Sequence, residues 1–213
     1  MIWVKICGTT NLADAQAAVE AGADALGFIF APSPRRISPR DAARMIRELP
    51  PAVEKIGVFV NQKPAIIRHT VAEAGLTGVQ LHGDEDHELV NALPGTVRVM
   101  KAIAVRPGFE AELEAFPRRA PDLFLLDSGG ATRRGGTGHA FEWEEAAPVV
   151  RLAARRFKLV IAGGLTPANV VAAIDQFRPF GVDVVSGVES EPGRKDHARL
   201  RAFISAAKSA MVK

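Results

Sequence analysis

Residues 158–174 read KLVIAGGLTPANVVAAI. Behind one lysine, Leu159-Val160-Ile161-Ala162 form an unbroken apolar run, as expected of a parallel strand buried on both faces. The Gly163-Gly164 pair that follows punctuates a tight turn, and Thr166-Pro167 couples an N-cap hydroxyl to a proline suited to the first helical position. With a helical apolar spacing over 167–177, the segment predicts strand, turn and helix in succession: one βα unit.

Outward from this unit the same alternation runs along the whole chain. Strands are expected at 2–7, 25–30, 53–60, 78–82, 97–103, 123–127, 158–162 and 181–186, and helices at 11–21, 38–49, 64–74, 85–93, 110–116, 142–154, 167–177 and 196–209. Ser38-Pro39 repeats the helix-start signal, and Gly22 and Gly75 fall where a left-handed residue ends a helix. Eight βα units with no break in composition predict an α/β fold: a closed (β/α)8 TIM barrel in one compact domain, residues 1–213, ahead of an open doubly wound sheet. At 213 residues the barrel is lean, since about 250 is usual.

Composition narrows the function classes. With 47% hydrophobic residues the chain can bury a large core, and a net charge of +3 comes as scattered arginine pairs rather than one basic block, which argues against nucleic-acid binding. One cysteine excludes an internal disulfide framework and a multi-thiolate metal site, so a reducing cytoplasm is the expected compartment. No secretory leader pattern opens the sequence and no apolar run approaches the roughly 18 to 20 residues of a membrane span, so a soluble, unexported protein is expected.

Barrels carry their chemistry at the C-terminal ends of their strands. There stand Lys5, Cys7 and Gly8, Arg35 and Arg36, Asn61, His82, Lys101, Asp127, Gly163-Gly164 and Ser186-Gly187. Alternation along a strand puts Lys5 on the face of Cys7, one layer below it, and Asp183 on the face of Val185. Lys5 and Lys101, expected to face inward, need partners, and Asp183 and Asp127 are the available carboxylates. The Gly163-Gly164 turn and Ser186-Gly187 offer unhindered backbone amides at the strand-seven and strand-eight loops, the usual phosphate position in such barrels, with Cys7 and Asp127 flanking it. Each residue also has a plainer reading. A lone cysteine is commonly a small buried hydrophobe, an aspartate closing a strand commonly caps a turn, and His82 has an ordinary half-buried role open to it. The glycine-rich stretch from Arg133 to His139 reads either as a solvated loop or as a mobile lid.

The residues as a set resemble the phosphoribosylanthranilate isomerase family. The resemblance lies in Lys5-Ile6-Cys7-Gly8-Thr9; Gly27-Phe28-Ile29-Phe30 leading to Ser33, Arg36 and Ser38; Gly57-Val58-Phe59-Val60-Asn61; and Val79-Gln80-Leu81-His82-Gly83. It continues through Leu126-Asp127, Gly135-Gly136-Thr137-Gly138, Ala162-Gly163-Gly164-Leu165 with Asn169, and Asp183 to Glu189 with Pro192-Gly193 and Lys195-Asp196. These motifs span the chain in order.

The resemblance implies an Amadori rearrangement of N-(5-phospho-β-D-ribosyl)anthranilate to 1-(2-carboxyphenylamino)-1-deoxy-D-ribulose 5-phosphate in tryptophan biosynthesis, with no cofactor and no metal. By position it makes Cys7 the general base and Asp127 the general acid. Arg36 becomes the contact to the anthranilate carboxylate, His82 and Asp183 become pocket residues, and the phosphate falls to Gly163, Gly164, Ser186 and Gly187. The expected partner is this small phosphosugar-anthranilate substrate, with no nucleic acid or membrane, in a monomer or homodimer. A base must be thiolate and an acid must keep its proton, so Lys5 is expected to lower the Cys7 thiol and desolvation against Leu125 to keep Asp127 protonated. Two positions depart from the family pattern: Val185-Ser186 replaces a serine pair, and His139 follows Gly138. Rival readings are another phosphosugar barrel enzyme and a non-catalytic phosphate-ligand barrel. An epimerase would want His and Asp metal ligands at several strand ends, and an indole-glycerol-phosphate synthase an N-terminal extension.

Overall fold

A computed structural model describes residues 1–116, 121–127 and 143–210. Eight parallel strands close on themselves in sequence order: β1 (Trp3–Cys7), β2 (Ala25–Ile29), β3 (Glu54–Phe59), β4 (Gly78–Leu81), β5 (Arg98–Ala104), β6 (Leu123–Asp127), β7 (Leu159–Ile161) and β8 (Gly181–Val184). β8 completes the ring by pairing with β1, Lys5 opposite Asp183. The helices between and after them are α1 (Leu12–Glu20), α2 (Pro39–Ile46), α3 (Pro64–Ala74), α4 (His87–Asn91), α5 (Phe109–Glu114), α6 (Trp143–Ala153), α7 (Val170–Phe177) and α8 (His197–Ser209). The expected closed barrel is therefore the observed one.

The largely apolar strands feed two separate cores. Residues turned outward, such as Val4, Ile6, Leu126, Ile161 and Val182, pack with the helices in one continuous cluster. Residues turned to the axis, including Trp3, Ala25, Ile56, Met100, Leu123, Leu125 and Val160, form a second cluster that plugs the barrel. Because each strand feeds both, most strand residues are apolar on either face, and the inward polar residues Lys5, Gln80, Asp127 and Asp183 gather toward the open rim.

Local signals explain several helix ends. Ser38 accepts a hydrogen bond from Asp41 N with Pro39 at the first position, and Gly75 ends α3 at φ 73°. The Thr166-Pro167 signal is overturned: α7 starts at Val170. Asn169 explains the delay, because its Oδ1 accepts from Thr166 N (2.7 Å) and its Nδ2 donates to Gly164 O (2.9 Å), holding 164–169 as a turn. Strand eight also stops earlier than expected, at Val184, and Ser186–Val188 is a 3-10 turn. Beyond it, β9 (Glu189–Glu191) and β10 (Arg194–Lys195) make a two-stranded hairpin that the sequence did not announce.

Lys101 corrects a second expectation. It lies on the opposite face of β5 from Met100 and Ala102, outside the barrel interior, and its ammonium donates to Gly83 O (2.7 Å) and to buried Glu85 (3.0 Å). The expected lid, Arg133 to His139, lies outside the described residues, as does Glu142 at the expected start of helix six.

Candidate active site

Cys7 is the last residue of β1 and is buried, its side chain directed inward over Gly27 on β2. A Cβ at Gly27 would stand 2.5 Å from the sulfur, so the absence of a side chain there is what gives the thiol its room. One layer down, as strand parity requires, the fully buried ammonium of Lys5 donates to Asp183 Oδ1 and to Gln80 Oε1, each at 2.8 Å. Burial alone would discharge Lys5, but the charge of Asp183, followed by that of Cys7, outweighs it and holds the ammonium above its ordinary value. The thiol does not follow the expected direction. Burial pushes Cys7 up, Asp183 adds to that, and the pull of Lys5 and of Lys195 recovers only part.

Across the mouth, Asp127 closes β6 and is buried. Its Oδ2 faces His82 Nε2 at 3.3 Å, and His82 Nδ1 lies 2.8 Å from Gln80 Nε2. Side chains from four strands and the residue following β4 thus form one polar chain over the hydrophobic plug: Asp183, Lys5, Gln80, His82, Asp127. Gln80 was absent from the sequence-derived candidates. Its signal was the parity it shares with His82, two residues on, in a strand otherwise apolar.

Between these groups the rim opens into a cleft lined by Cys7, Gln80, His82, Asp127 and Asp183 together with Gly163, Gly164, Ser186 and Gly187. Gly163 (φ 84°) and Gly164 (φ 65°) are both left-handed, a succession that side chains would strain and that leaves the backbone amides uncovered. Gly187 packs against this turn so tightly that a Cβ would meet Leu165 O at 1.9 Å. Eight of the nine sequence-derived site residues therefore line one cleft, and Arg36 does not. It is exposed and lines a neighbouring groove with Thr10, Ser38 and Glu191, although its backbone bridges to Ile29, which does line the cleft.

Arg35 lines the cleft instead, held by Glu189, which accepts from Arg35 Nε (2.9 Å) and Nη2 (2.7 Å). Lys195, from the unannounced hairpin, reaches in behind Cys7 and donates to Cys7 O (2.6 Å), Val185 O (3.2 Å) and Glu189 Oε1 (3.2 Å). The hairpin thereby ties the end of β1 to the end of β8. Among the described residues no group of three His, Cys, Asp or Glu side chains is placed to hold a metal ion.

Residues 4–206 match the family model described as N-(5′-phosphoribosyl)anthranilate (PRA) isomerase. Among curated proteins, the N-(5′-phosphoribosyl)anthranilate isomerase of Pelobacter propionicus is 48% identical over 209 residues, covering 98% of this chain and 96% of that protein. Among solved structures, phosphoribosyl anthranilate isomerase from Thermotoga maritima superposes with a TM-score of 0.85 at 46% identity, covering 98% of this chain and 99% of the other. A phosphoribosyl anthranilate isomerase in complex with reduced 1-(o-carboxyphenylamino)-1-deoxyribulose 5-phosphate gives a TM-score of 0.82 at 44% identity, with the same coverage.

Proposed function

The chain belongs to the N-(5′-phosphoribosyl)anthranilate isomerase family, and on that premise we propose that it catalyses the Amadori rearrangement of N-(5-phospho-β-D-ribosyl)anthranilate in tryptophan biosynthesis. The observation that carries the proposal is the cleft itself, in which a thiol and a carboxyl approach from separate strands and meet a glycine-lined, anion-ready turn.

In this reading the phosphate is held by the amides of Gly163, Gly164 and Gly187 with the Ser186 hydroxyl. That anchor lays the ribose between Cys7 and Asp127. Asp127 gives its proton to the furanose oxygen as the C1′–O bond breaks, and the nitrogen lone pair forms the Schiff base. Cys7, as thiolate, takes the C2′ proton, and the released electron pair makes the C1′=C2′ bond while neutralising the iminium nitrogen. The resulting enolamine becomes the ketose by moving its enol proton to C1′ through solvent. Each turnover leaves Asp127 to regain a proton and Cys7 to lose one. These transfers use side chains and solvent, so the reaction calls for no cofactor or metal.

Arg36 takes the anthranilate carboxylate in this scheme. Its guanidinium is exposed, and Ser33 and Pro34, just before it, line the cleft, so a side-chain rotation is the movement required. His82 and Asp183 act on the substrate side of the polar chain. The enzyme is proposed to work in the cytoplasm as a monomer or homodimer. No helix among the described residues is long and apolar enough to cross a membrane, and the relative from Thermotoga maritima is described as dimeric. The test is loss of substrate fluorescence on adding the purified chain. Wild type is expected to consume phosphoribosylanthranilate, with Cys7→Ser and Asp127→Asn slower by about 100-fold or more; no consumption by wild type overturns the proposal.

A further inference from the structure

The polar chain beneath the cleft has one direction imposed on it. A lysine ammonium donates and never accepts, so the Gln80 atom 2.8 Å from Lys5 Nζ is its carbonyl oxygen. That fixes the other end of the same amide: the NH2 group faces His82 Nδ1 at 2.8 Å and donates to it. Nδ1 is then the unprotonated nitrogen of the ring, and the neutral imidazole carries its hydrogen on Nε2, toward Asp127 Oδ2. Lys5 is fixed as donor in turn by Asp183, 2.8 Å away on the neighbouring strand.

From this geometry we infer that Gln80 is a positioning residue for the isomerase reaction: by setting the His82 tautomer it makes Asp127 Oδ2 an acceptor and leaves the transferable proton on Oδ1. The inference rests on the proposed role of Asp127 as acid. With the opposite tautomer, Nε2 would accept, and the Asp127 proton would be drawn into the His82 contact, away from the substrate. Gln80 touches neither reacting atom in this scheme, and it acts through His82.

Glutamate at position 80 reverses the signal with little change in volume. A carboxylate only accepts, so Gln80→Glu still pairs with Lys5 but draws a hydrogen onto His82 Nδ1. The experiment is nitrogen-15 and proton correlation spectroscopy of histidine-labelled protein, with His82 assigned by the His82→Asn spectrum, combined with steady-state kinetics. Wild type is expected to show His82 protonated at Nε2 alone. Gln80→Glu is expected to show a protonated Nδ1 and kcat reduced about tenfold to 100-fold, with KM and affinity for the reduced product analogue within about twofold. A wild-type His82 protonated at Nδ1 overturns the inference, and this spectrum decides alone if the variant fails to fold. So does a folded Gln80→Glu that gains the Nδ1 hydrogen and keeps wild-type kcat. Absence of turnover by wild type would instead sink the isomerase reading, which the tautomer does not determine.

Discussion

Replacing Lys5 by methionine tests the buried charge on which the whole cleft floor stands. The ammonium is wholly buried and its two hydrogen bonds, to Asp183 and Gln80, are both 2.8 Å. Methionine keeps much of the volume and removes the charge, leaving Asp183, 5% exposed, without its counter-ion. Breaking a buried pair from one side costs about 3–5 kcal/mol, which for a chain of this length lowers the melting temperature by about 6–20 °C. The sign with pH is fixed by the direction of the Lys5 shift: a cation held above its ordinary value contributes fully below that value and loses the contribution only as pH rises through the folded one. At pH 7 the whole effect is therefore present. Urea denaturation of Lys5→Met, Asp183→Asn and the double variant separates the pair from its surroundings. The double variant is expected to lose at least about 1–2 kcal/mol less than the sum of the singles, because it no longer buries an unpaired charge. Strict additivity would refute this account of the floor.

Two further outcomes follow from the same electrostatics. Burial leads the forces on Cys7 and raises it, so kcat/KM is expected to keep climbing with pH beyond the ordinary thiol value of about 8.5; a plateau already reached near pH 7 would show a thiolate lowered in the free enzyme. Glu189 is held below the usual carboxylate range: burial opposes its ionisation, but the Arg35 hydrogen bonds and the Lys195 charge outweigh it. Its contribution is present above about pH 4.3 and is lost as pH falls through the folded value, so Glu189→Gln is expected to flatten the loss of unfolding free energy between about pH 5 and 3, and an unchanged slope would count against the clamp.

The barrel was legible because its causes are local. Eight apolar runs separated by helical spacing admit few topologies, and Ser38-Pro39 and Gly75 act through their own backbone. The cleft was legible to the extent that strand ends converge, which is how Cys7, Asp127 and the two glycine turns were brought together on paper. What failed needed information from elsewhere in the chain. Around Lys101 both faces of β5 are apolar, so the sequence offers no parity from which to read its direction. Thr166 does not open the helix because Asn169, three residues on, folds its side chain back onto Thr166 N and Gly164 O and holds the segment as a turn. The direction of the Cys7 shift is a balance between burial and cations contributed by Lys5, two residues away, and Lys195, 188 residues away, and no local pattern carries that sum. The hairpin that delivers Lys195 has strands of three and two residues, too short for periodicity to register.

The most direct measurement is release of deuterium to solvent from substrate labelled at C2′, followed with wild type and with Cys7→Ser. If Cys7 is the group that takes this proton, wild type releases the label at the rate of turnover and the variant releases it about 100-fold more slowly or less, while still binding the reduced product analogue. Equal release by the two proteins would mean that some other group removes the proton.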